Sequence, residues 1–150
     1  MKKGYRFTFG TATLNGNYYD NVGNRCIGIP ENFKGADRLN RIALHVVNAA
    51  NEPLVKAIDA DVKAGKITTA NEYADQQFKV FYNSHLALYK ILSELDKNIG
   101  GLPKESLNFW GQPATKFAEL KAPTLPELKQ QQASTYEHFK TWFPTRKMEK

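Results

Sequence analysis

The sequence predicts an α+β chain that is mainly helical, with a short N-terminal β-hairpin followed by a bundle of about four helices, one of them long and central. Three observations carry this expectation. Residues alternate with a period of two near the N-terminus, apolar residues recur every three and four positions from residue 36 onward, and two capping-box patterns mark helix starts. At 150 residues, 41% of them hydrophobic, the chain fits one domain able to bury a real core. The expected division is 1–35 as the β-type segment, 36–143 as the helical part and 144–150 as a basic tail.

Tyr5, Phe7 and Phe9 alternate with Arg6 and Thr8, the pattern of a strand with one buried face. Asn15-Gly16 then lies between Thr11–Leu14 and Asn17–Tyr19, which is the strongest short-range signal for a tight hairpin turn. Cys26-Ile27-Gly28-Ile29 is a short apolar run that reads as a third strand.

From Ala36 the period changes. Leu39, Ile42, Ala43, Val46, Val47 and Ala50 share one face of a first helix that runs to about Asn51. Pro53 suits the first turn of a second helix, where its missing N–H is no loss, and Leu54, Val55, Ile58 and Val62 form that helix's stripe up to Gly65. Thr69-Ala70-Asn71-Glu72 is a capping box for the long helix, in which Ala74, Phe78, Phe81, Tyr82, His85, Leu88, Tyr89, Leu92 and Ile99 project to one side before Gly100-Gly101. Leu102 to Pro123 reads as irregular chain pinned by Phe109, Trp110, Phe117 and Leu120. Thr124-Leu125-Pro126-Glu127 opens a last helix, with Leu128, Tyr136, Phe139, Trp142 and Phe143 inward and Pro144 as its end.

The composition excludes some classes. Cys26 is the only cysteine, so an intramolecular disulfide is impossible, and a cytoplasmic or other reducing compartment is expected. No apolar stretch has the length of a membrane span, so no membrane partner is expected. Phosphate-loop, dinucleotide and nucleophile-elbow motifs do not occur, and no cofactor is expected.

The formal charge is +6 and uneven, +4 over 1–50 (7 basic, 3 acidic), −1 over 51–100 (6 and 7) and +3 over 101–150 (8 and 5). Lys34, Arg38, Arg41 and His45 follow at intervals of four, three and four along the first helix and its entry, where they could receive phosphates. A solvated polar face moderated by Asp37 explains the same pattern. Aromatics interleaved with Lys2, Lys3 and Arg6 at the N-terminus admit either base stacking or the inner side of the hairpin.

The three histidines, His45, His85 and His138, lie on three different helices without metal-ligand spacing, so no metal is expected. His85 reads as a neutral imidazole buried on its helix, and His45 and His138 as half-exposed flank residues. Asp59 and Asp61, two apart on one helix, read as solvated charge.

The function expected from these observations is non-enzymatic. The chain reads as an interaction or assembly module acting through a protein partner or self-association, with Phe109 and Trp110 as contact residues. The alternative is an accessory nucleic-acid-binding protein with its basic surface around Lys34, Arg38 and Arg41. An enzyme with a dispersed site near His85 or His45 is a third class.

Overall fold

The computed structural model describes residues 6–10, 18–21, 24–30, 35–102 and 114–148. Four α-helices dominate them, so the chain is mainly helical. Three short strands precede the helices: β1 (Arg6–Gly10), β2 (Tyr18–Asn21) and β3 (Asn24–Pro30). Their order is β1-β3-β2, with β1 parallel and β2 antiparallel to β3. Arg6 stands opposite Cys26, and Tyr18 opposite Ile27. The turn at Asn15-Gly16, and with it the expected N-terminal hairpin, lies outside the described residues.

The first two expected helices are one. Helix α1 runs from Gly35 to Lys63, 29 residues, with Pro53 inside it. Proline removes one backbone hydrogen bond and crowds the carbonyl four residues earlier, which usually ends a helix. Here the helix continues through it, with Val47 before the proline and Ile58 after it both buried. The helix closes at Gly65, whose φ of 72° only glycine adopts without strain. The Gly65 amide donates to the Val62 carbonyl and the Lys66 amide to that of Asp61, the paired bonds of a Schellman end.

Helix α2 (Ala70–Ile99, 30 residues) is the expected long helix, and the continuous α1 nearly equals it in length. Its start is the expected box. The Glu72 amide donates to Thr69 Oγ1 at 3.2 Å, and Glu72 Oε2 accepts from the Thr69 amide at 3.1 Å and the Thr68 amide at 3.0 Å. A turn of 3-10 helix at Phe117–Glu119 buries Phe117 and, just after it, Leu120.

The last expected helix is divided into α3 (Leu125–Gln131) and α4 (Ala133–Met148). Gln132 sits between them with φ −112° and ψ 38°, outside the helical region. Pro144 does not end α4. The turn beyond it is held from the side by Arg146, whose Nε lies 3.4 Å from Asp59 Oδ2, so the helix reaches into the expected basic tail.

By internal contacts the chain forms two compact units, Met1–Ala49 with Lys90–Leu120, and Ala50–Tyr89 with Lys121–Lys150. Two of the three dividing points, 49/50 and 89/90, fall inside α1 and α2, where no linker composition marks them; the third, 120/121, follows the 3-10 turn. In the first unit Ala43, His45, Val47, Ala49, Leu92, Leu102, Phe117 and Leu120 are buried. The second unit is built on Ile58, Val62, Ile67, Tyr73 and Phe143, with Ala70 and Val80 packed against them. An aromatic row extends from this core: Phe78 lies edge-on to Tyr136 at 5.8 Å and to Phe139 at 6.5 Å, and Phe139 meets Trp142 at 5.4 Å.

Candidate functional site

The polar groups of the second unit are turned on one another. Tyr73, with no exposed surface, donates its hydroxyl to Asp59 Oδ1 at 2.9 Å and accepts from Gln77 Nε2 at 3.0 Å. Burial, then the Asp59 carboxylate, push the phenol up to about 12, so it stays protonated. Arg146 faces the other oxygen of Asp59. A carboxylate that reads as solvated charge in the sequence is thus an internal tie between α1, α2 and α4.

A second tie has the same plan. Asp75 Oδ1 accepts from Lys129 Nζ at 2.8 Å and from the Tyr136 hydroxyl at 2.9 Å. The Lys129 ammonium also lies 3.7 Å from the centre of the Tyr136 ring, and that of Lys140 lies 4.9 Å away. The Lys129 hydrogen bond holds the Asp75 carboxyl below its ordinary range, and Asp75 in turn raises Lys129.

The expected basic cluster is only partly within view. Lys34 lies outside the described residues, Arg41 belongs to α1 by its backbone, and Arg38 is half-buried. His45 is 3% exposed, not a half-exposed flank residue. It follows Arg38 by seven positions, nearly two full turns, so the side of α1 that carries Arg38 is covered at His45. Phe109 and Trp110 lie outside the described residues.

His85 is half-buried and its Nδ1 donates to the Phe81 carbonyl at 2.8 Å, while burial pushes its pKa down. His138 is exposed and lies edge-on to Trp142 at 5.1 Å. Among the described residues no three His, Cys, Asp or Glu side chains are grouped as metal ligands, and no helix is long and apolar enough to cross a membrane.

What the second unit presents outward is an apolar face on α1. Leu54 is 51% exposed, and Ala50, Pro53, Ala57 and Ala60 beside it are exposed as well. The sequence pattern puts Ala50 and Leu54 among the buried positions, yet within the second unit the first buried residue of α1 is Ile58, one turn after Leu54. Along the continuous helix this face carries apolar positions at 50, 53, 57 and 60, intervals of three, four and three. The chain matches no protein-family model, no curated protein and no solved structure.

Proposed function

We propose that this chain is a non-enzymatic interaction module that works by protein–protein contact, including contact between its own copies. The supporting observation is the exposed apolar face of α1 around Leu54. Water-exposed leucine, proline and alanine gathered on one side of a helix gain free energy when another surface covers them. The half-exposed indole of Trp142, at 37%, adds a residue type enriched in such contacts.

The polar constellations argue the same way. Asp59, Tyr73, Asp75 and Tyr136 bond to one another and to Lys129, Gln77 and Arg146, so their chemistry is used in holding helices together. The nucleic-acid alternative rests on the +6 charge and on Lys34, Arg38 and Arg41. It requires binding that weakens steeply between about 50 and 200 mM salt.

A photo-reactive benzophenone side chain at position 54 tests the reading. In native extract it is expected to give a saturable protein adduct that the same group at exposed Lys79 does not give. Equal labelling at both positions, or none at 54, would remove the α1 face as a contact surface.

A further inference from the structure

We infer that the α1 face is a self-association seam, on which α1 of one copy lies parallel to α1 of a second. This rests on the reading of that face as a contact surface, and names its occupant. Ala50, Pro53, Ala57 and Ala60 recur at the alternating three and four spacing by which one helix meets another along a shared seam. Three of the four are alanines, which allow close approach of the two backbones.

The charges beside the seam choose both occupant and direction. Lys56 flanks it on one edge and Asp61 on the other, with side chains 68% and 38% exposed. In a parallel pair, a residue on the first edge meets the residue five positions later on the opposite edge of the other helix. That rule places Lys56 against Asp61 of the partner subunit, and the two-fold axis repeats the contact. An antiparallel pair would instead set the Lys56 and Lys63 edge against the same basic edge of the partner, and like charges would oppose it. The intrachain partners are Glu52 for Lys56 and Lys66 for Asp61; both lysine side chains are mostly exposed, so in the pair the Lys56 ammonium bridges Glu52 and the partner's carboxylate while Asp61 accepts from both lysines.

The five exposed residues span positions 50–60, about 15 Å of helix at 1.5 Å per residue. That contact is smaller than the roughly 800 Å² per partner of a standard stable interface, so the pair is weak and reversible.

The test uses the full chain with Cys26→Ser, so that an added cysteine is alone. Ala57→Cys is expected to oxidise to a disulfide-linked dimer, because equivalent seam positions of a parallel pair face each other within disulfide reach. Thr141→Cys on α4 is the control that stays monomeric. Without cross-linking, sedimentation of the parent at rising concentration should show reversible dimer, with Ala57→Glu weakening it at least about tenfold by placing two carboxylates in the seam. Lys56→Glu should weaken it too, and Lys56→Glu with Asp61→Lys should restore it.

A parent that stays monomeric at every concentration, with no link at 57, overturns the inference. So does a double swap that fails to restore association in chains of unchanged circular dichroism. If the probe at 54 still labels a different protein, the contact reading survives and only the self-pairing falls; with no adduct of either kind, both fall.

Discussion

The Tyr73 hydroxyl meets Asp59 at 2.9 Å across fourteen residues of chain, joining a fully buried phenol to a carboxylate that Arg146 faces from the other side. Helices α1, α2 and α4 therefore share one polar junction inside an otherwise apolar packing. Removing either end of a buried hydrogen bond leaves the other without its partner, which costs more than the bond's net worth. Asp59→Ala is expected to destabilise the chain by about 1–3 kcal/mol, measured by urea unfolding, and Tyr73→Phe by less.

The same junction sets an alkaline limit. Tyr73 has its pKa raised from 10.0 to about 12 in the folded chain. Its contribution to stability is complete below the unfolded value and is lost as pH rises through the folded one. Stability should therefore fall between pH 10 and 12, and phenolate absorbance should show an ionisation at about 12 that Tyr73→Phe removes. A Tyr73→Phe variant that loses stability over the same window just as steeply would contradict this.

Ile58 and Leu54 stand one turn apart on α1, 7% and 51% exposed. Ile58→Ala should cost about 2–5 kcal/mol through the lost burial and the cavity left behind. Leu54→Ala should stay within about 0.5 kcal/mol, as surface substitutions do. Equal losses at the two positions would mean that α1 is rotated from the orientation described.

Pro53 is exposed within a continuous helix, so it brings little packing while denying the Ala49 carbonyl its hydrogen bond. Pro53→Ala is expected to raise stability by roughly 1–3 kcal/mol, read as a higher urea midpoint at unchanged slope. A lower midpoint would show that packing depends on the proline ring itself.

His85 is held neutral by burial, with its Nδ1 proton on the Phe81 carbonyl. A histidine whose folded pKa is depressed favours folding above its unfolded value and loses that contribution as pH falls through the window down to the folded value. Proton NMR should show His85 titrating below the ordinary 6.5. His85→Gln should flatten the decline in stability just below that pH.

Helix ends were the most legible feature. Thr69 with Glu72, Thr124 with Glu127, and the glycines at 65 and 100 act through bonds to residues at most five positions away, so local sequence is enough to specify them. Continuity through Pro53 and Pro144 was not legible, because proline's local cost is set against burial and ion pairing supplied by residues far along the chain. Of the candidate site, Ala50 and Leu54 belong to the stripes expected to be buried yet are exposed, because periodicity groups residues on a face without fixing whether a neighbour covers it. His45 was misjudged as half-exposed for a related reason: a helical projection ranks faces without saying how many neighbours cover each.

By itself, then, the sequence determined the helical character, the capping of the helices and the surplus of positive charge, all of which depend on residue type and short-range spacing. Tertiary structure alone decided that Asp59 and Asp75 would serve as ties between helices, which tyrosine each would hold, and which side of α1 would remain in water. Those outcomes depend on contacts across as many as sixty-one residues. Such contacts form only when packing brings distant elements together, and no local pattern encodes them.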